Sequence, residues 1–207
     1  MSSFDLSMSE RKYIIHPYKF NMWLFLITLI MVFGGLTSAY IVALSFVKPE
    51  NRLLLDLPGI LVNNTIVIVF SSITMQMAVW MAKRGESRKA MLGLIFTFVL
   101  GLVFLVGQAY AWKTLTAAGQ PLVDPGRIDN SASFFYIFTG LHGVHILAGL
   151  VVLLVALVKT SLNNFKTEEN KQLTYEITAT FWHFLGLLWI YLYIFLLYTQ
   201  QKADLGA

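Results

Sequence analysis

The chain has 207 residues, of which 57% are hydrophobic, 14% aromatic and only 13% charged, with a formal net charge of +4 and no cysteine. A water-soluble domain carries about 25% charged residues, so about half the charge needed to coat an aqueous surface is missing, and the composition is that of a membrane protein. The absence of cysteine excludes disulfides, thiolate metal sites, iron–sulfur clusters, c-type haem attachment and cysteine nucleophiles.

Five windows free of Asp, Glu, Lys and Arg follow one another along the chain: Phe20 to Val47, Leu57 to Ala82, Ala90 to Trp112, Asn130 to Val158, and Ile177 to Gln201. A helix of about 20 residues crosses the hydrocarbon core, and each window is longer. Membrane strands need only about 9–11 residues with alternating polarity, and these windows are continuously apolar. The expected fold is therefore an all-α bundle of five transmembrane helices forming one membrane domain over residues 1–207. The first window is too long for the apolar core of a cleavable signal peptide and is expected to stay as a span. No internal repeat stands out.

Around the first span, Arg11, Lys12 and Lys19 precede the apolar run, and Gly34, Gly35, Thr37, Ser38 and Ala39 within it read as a small-residue packing seam. The second span holds Asn63, Asn64 and Gln76, amides that need partners in lipid, and is followed by Lys83, Arg84, Arg88 and Lys89. Gly93, Thr97 and Gly101 give the third span a second small-residue stripe, and Gln108 adds another amide near its end. Trp23, Trp80 and Trp112 sit near span ends, as interfacial anchors do. The fourth connector carries Lys159, Lys166 and Lys171, so ten Lys and Arg fall on one side, against Lys48, Arg52, Lys113, Arg127 and Lys202 on the other. The positive-inside rule then expects a cytoplasmic amino terminus and an external carboxyl terminus. The basic balance follows from topology and anionic headgroups, and nothing in it suits nucleic acid.

No span contains a carboxylate, Lys or Arg, which argues against a stand-alone transporter with an acidic proton relay and leaves a neutral-solute permease as a minor reading. Three histidines fall inside spans. His142 and His145 lie three apart and are expected on one face with Phe138 and Gly149, while His183 shares a face with Ala179 and Gly186. Small neighbours place them in helix–helix contacts, where imidazoles either hydrogen-bond across helices or hold a metal or haem. Depth weighs against the second: His142 and His145 fall near the midplane, whereas His183 falls roughly 9 Å to the cytoplasmic side of its span's midpoint. His16, beside Pro17, reads as an interfacial residue. No phosphate-binding loop, paired carboxylates or nucleophile with a base is present, and the chain reads as a subunit of something larger.

The residues Ser133 to Gly149, with Thr139, Gly140, His142, Gly143, His145 and Gly149 at its fixed positions, resemble the TGxHGxHxxxG signature of subunit III of haem–copper oxidases. Thr180 to Phe184, with Trp182 and His183, followed by Trp189, Tyr191 and Tyr193, is similar to that family's final-helix pattern WHF…W…Y. Weaker similarity covers Met22 to Phe25, Asn64 and Thr65, Arg88 to Met91, and Gln108 to Trp112. The chain looks like the short bacterial type that lacks the family's first two helices. Leu29 and Ala111 stand where the family keeps acids, and Gly186 where some members have Asp. The resemblance implies an accessory, non-redox subunit of an aerobic terminal oxidase in a bacterial inner membrane, with no catalytic, cofactor or metal residue of its own. Haems and copper would lie on partner subunits. Its implied contacts are subunit I above all, then subunit II, small subunits or a respiratory supercomplex, and structural phospholipid. Gln108, Trp112, Thr139, Gly140, His142, Gly143, His145, Gly149, Trp182, His183 and Trp189 would serve helix packing, lipid or subunit contact. The complex would be a cytochrome c oxidase, or alternatively a quinol oxidase; a b-type haem or metal protein is the weaker alternative.

Overall fold

A computed structural model of the protein describes residues 17–48, 57–123, 129–163, 165 and 167–204. His16, Arg11, Lys12, Arg52, Arg127 and Lys166 lie outside the described residues. Five helices follow one another: α1 Pro17–Ser45, α2 Ile60–Lys83, α3 Ser87–Ala117, α4 Ser131–Ser161 and α5 Glu168–Asp204. All five are long and apolar enough to cross a membrane.

Helices α3, α4 and α5 outrun their charge-free windows, most of all α5, which begins at Glu168 and not near Ile177. Lack of charge marks the part of a helix that lipid covers; the backbone hydrogen bonds continue into the polar layer beyond it. α1 opens on Pro17, whose fixed φ and missing N–H suit a first helical position. The α2–α3 turn is short: Gly85 adopts φ +76, the left-handed region that glycine enters without strain, and α3 restarts at Ser87. There Lys89 pairs with Glu86 at 2.7 Å and holds its carboxyl below the usual carboxylate range.

Helices α2 to α5 close a ring in which each packs on its sequence neighbour and α5 returns to α2; α1 lies outside, against α4 and α5. Polar pairs at the helix ends show the up-and-down order. Lys19 of α1, Lys83 of α2 and Glu176 of α5 meet at one end, where Lys171 of α5 also donates to Ser87 of α3. At the other end Tyr40 of α1 donates to Ser131 of α4. The helices have almost no hydrophobic asymmetry, because lipid is as apolar as the interior; what distinguishes the inner faces is small residues and hydroxyls.

Candidate functional site

Trp182, the first residue of the WHF pattern, sits at the centre of the four-helix ring and is 1% exposed. A Cβ added at Gly101 of α3 would lie 2.7 Å from its ring, and one added at Gly149 of α4 would lie 3.1 Å from the ring's other edge. Its indole N–H donates to Ser71 of α2 at 2.9 Å. The last glycine of the fourth-span signature and the tryptophan of the fifth are thus two halves of one contact. Two further tryptophans repeat the arrangement: Trp189 of α5 donates to Thr65 of α2 at 3.0 Å, and Trp112 of α3 to Thr139 of α4 at 2.9 Å. Each accepting hydroxyl donates in turn to a carbonyl of its own helix, Ser71 to Ile68, Thr65 to Leu61 and Thr139 to Phe135. Such interhelical bonds contribute about 0.6–2 kcal/mol each in a bilayer. Trp112 is therefore a packing residue as well as an interfacial one, while Trp23 and Trp80 stay exposed as anchors.

His142 is fully buried against Phe104 of α3, 5.8 Å away edge-on, and Trp189 of α5, 5.3 Å away, two rings that also meet each other at 4.9 Å. His145 faces elsewhere: its ring meets Phe33 of α1, and its Nδ1–H donates to the Leu141 carbonyl one turn back. The single shared face expected from the three-residue spacing is in fact two interfaces. Residues three apart diverge by about 60° around a helix, enough to straddle two neighbours. His183 donates from Nε2 to Gln76 Oε1 of α2 at 3.2 Å. Of the three imidazoles only this one bonds across helices, and the three rings face α3 with α5, α1, and α2 respectively. Among the described residues no three His, Asp or Glu side chains converge as metal ligands would.

The other signature positions serve approach. Gly140 lies against Trp112 at 3.7 Å and Gly143 against Leu105 at 4.0 Å, measured from an added Cβ. Gln108 is 3% exposed, with neither amide atom bonded to protein. Leu29, Ala111 and Gly186, the positions where the resemblance expects acids, are absorbed by packing: the first two are buried, and Gly186 lies 3.1 Å from Ser72 Oγ of α2 by the same measure. The stripe of Gly93, Thr97 and Gly101 is a true seam, with Gly93 on Ala78 and Thr97 bonded to Thr74 at 2.8 Å. The patch on α1 is not. Only Thr37 turns inward, bonding to Tyr191 at 3.0 Å; Gly34, Gly35, Ser38 and Ala39 are exposed and nothing lies near a Cβ at either glycine. Small residues permit close approach by any helix, and among the described residues no helix comes there.

Sequence reasoning missed the charged clasp. Glu176 accepts from Lys19 at 2.6 Å and Lys83 at 2.8 Å, spanning α1, α5 and α2 over the mouth of a cavity of about 350 Å3. The cavity is lined among others by Trp23, Gln76, Ala179, Thr180 and His183. The three charges lie at span ends on the same side of the expected topology, so the signal was present; knowing which helices are neighbours was needed to read it.

Residues 6–201 match the family model described as cytochrome c oxidase subunit III. The chain belongs to the cytochrome c oxidase subunit III family. A probable cytochrome c oxidase subunit 3 of Mycobacterium tuberculosis is 36% identical over 132 residues, 62% of this chain and 61% of that protein. The cytochrome c oxidase subunit 3 of Corynebacterium diphtheriae is 32% identical over 136 residues, 66% of this chain and 63% of that one. The cytochrome bo(3) ubiquinol oxidase subunit 3 of Pseudomonas aeruginosa is 31% identical over 173 residues, 83% of this chain and 79% of that protein. The matched region thus covers less than two thirds of the mycobacterial and corynebacterial relatives. Family membership and the geometry fit together where signature residues meet one another: Trp112 with Thr139 and Gly140, Trp189 with His142, and Trp182 with Gly149.

Proposed function

We propose that the chain is an accessory, non-redox subunit of a membrane haem–copper terminal oxidase that reduces oxygen to water, and that haems and copper are carried by its partners. The family match over residues 6–201 carries this reading. The histidines support it, since His142, His145 and His183 face different neighbours, Phe104 with Trp189, Phe33, and Gln76. The chain's part is to pack on subunit I, with subunit II, small subunits or a supercomplex beyond, and the exposed Gly34, Gly35, Ser38 and Ala39 offer a partner helix a place for close approach.

Structural phospholipid belongs to the cavity between α1, α2 and α5. Two lysines against one glutamate leave a positive mouth for a phosphate, Trp23 and Trp80 sit at headgroup level, and the walls below mix the apolar Met22, Val79 and Ile177 with the polar Gln76, Thr180 and His183. The chain is multi-pass in a bacterial inner membrane, with the end bearing Lys19, Lys83, Arg84, Arg88, Lys89, Lys159 and Lys171 in the cytoplasm by the positive-inside rule. The donor reading is cytochrome c; a quinol donor is the second, favoured by the length of the match to the Pseudomonas ubiquinol oxidase subunit.

Affinity purification of the tagged chain in mild detergent tests this. Haem absorbance and oxygen consumption driven by reduced cytochrome c or by quinol should travel with it, and the preferred donor separates the two readings. An intact and fully active oxidase lacking the chain in native membranes, or a stoichiometric haem on the isolated chain, would overturn it.

A further inference from the structure

Among the described residues, three almost wholly shielded side chains in the bundle interior carry polar atoms without a protein partner: Asn64 and Gln108, each 3% exposed, and His142, 0% exposed. The unpartnered atoms are Asn64 Nδ2, both amide atoms of Gln108 and both ring nitrogens of His142. A buried polar atom left so is strongly disfavoured, and in a bilayer core bulk water cannot relieve it.

The packing brings the three to one level. Phe104 of α3 meets the His142 ring, and Trp112 of α3 donates to Thr139 of α4. Gln108 is one turn from each of those α3 residues, so it looks toward the turn of α4 between Thr139 and His142. Asn64 of α2 presses on the adjacent α3 residue, Gly107, where a Cβ would collide with Asn64 Oδ1. The next residue of α2, Thr65, holds Trp189, which lies against the same His142 ring. Amides and an imidazole from three helices therefore approach one region beside the mutually packed rings of Phe104, His142 and Trp189.

The chemistry of the set selects the ligand. It offers N–H donors from both amides and acceptors from Gln108 Oε1 and the unprotonated nitrogen of a neutral imidazole, and none of the three carries a fixed charge. An ion would satisfy one polarity and strand the other. A molecule that donates and accepts at once satisfies both, and a buried water with 2–4 such partners is an ordinary component of protein interiors. We propose that Asn64, Gln108 and His142 bind a small cluster of ordered water at the centre of the bundle, joining α2, α3 and α4. The site uses this chain's residues alone and stands apart from the oxidase reading.

The test is water-edited solid-state NMR of the full-length, isotopically labelled chain in lipid bilayers, with the Trp182 indole, bonded to Ser71, as the dry internal reference. Magnetisation from water should reach the Asn64 and Gln108 side-chain amides and the His142 ring well before it reaches Trp182. In Gln108→Leu the early transfer to His142 should be lost while the Trp182 indole shift is unchanged. Transfer to all three groups as slow as to Trp182 in the parent chain would overturn the proposal. So would a hydrogen-bond coupling between Gln108 Nε2 and a His142 ring nitrogen, which would mean that amide and imidazole satisfy each other directly. If Gln108→Leu displaces the indole shift, the parent chain's transfer rates decide.

Discussion

Gly101→Ala places a methyl carbon 2.7 Å from Trp182 Cη2 and 2.8 Å from Leu150 Cδ2. Carbon atoms in contact prefer about 3.5–4.0 Å, so both side chains must retreat by close to an ångström. Trp182 cannot do so freely: its far edge already lies 3.1 Å from the Cβ position of Gly149, and its N–H is held by Ser71 at 2.9 Å. Overpacking of this kind costs about 1–3 kcal/mol, and the pinned ring puts Gly101→Ala toward about 3. Gly149→Ala, whose nearest atoms are at 3.0 Å and 3.1 Å, falls toward about 1 by the same comparison. Trp182→Phe alone loses the indole bond and ring volume, at about 2–3 kcal/mol. Because the smaller ring withdraws the crowded edge, Gly101→Ala combined with Trp182→Phe should cost about 1–2 kcal/mol less than the sum of the single changes. Unfolding in mixed micelles of mild detergent and dodecyl sulfate, followed by helical circular dichroism, measures all four proteins of the cycle. Additivity within about 0.5 kcal/mol would refute the idea that the two signature motifs form one packing unit.

Gly107→Ala drives a methyl into Asn64 Oδ1 and should destabilise the same transition by about 2–3 kcal/mol; a change under about 0.5 would mean that α2 and α3 are not held at that point. Glu176→Gln removes two part-exposed ion pairs worth at most about 1 kcal/mol each, so global stability should barely move. The distance between spin labels at Trp23→Cys and Trp80→Cys, unambiguous in a chain without native cysteine, should nevertheless broaden, and an unchanged distribution would show that the clasp does not hold α1. Gly34→Leu with Gly35→Leu should leave the chain's own unfolding within about 0.5 kcal/mol while reducing recovery of haem absorbance in the pull-down; full recovery would remove that face from the partner contact.

The spans were legible because removing charge from lipid is a strong constraint: Phe20 to Val47 and its four counterparts each fall largely within one observed helix. Their ends were less so, since Glu168 to Glu176 are helical without being in lipid-like sequence. At the centre, the motif residues could be named but not aimed. A spacing of three told that His142 and His145 are near each other, and the structure assigns them to different neighbours because α4 touches three helices at that depth. The same blindness made Gly34 and Gly35 look like an internal seam and hid Glu176, whose partners come from helices far away in sequence. Composition reports what a face permits; only the neighbour's identity tells what it does.

The peripheral seat of α1 bears on how the chain is made. Its partners α4 and α5 leave the ribosome after α2 and α3, so α1 must wait in the bilayer until they are made with neither partner to satisfy it. It is equipped for that interval: Thr28, Thr37 and Ser45 each donate to a carbonyl of α1 itself, to Phe25, Phe33 and Val42. By contrast α2 and α3, joined by a tight turn, can enter as a hairpin that shields the Gly93 and Thr97 stripe at once. Biogenesis then runs as a solitary helix, a hairpin, and a closing pair that gathers both, which gives the insertion machinery only self-sufficient pieces to handle.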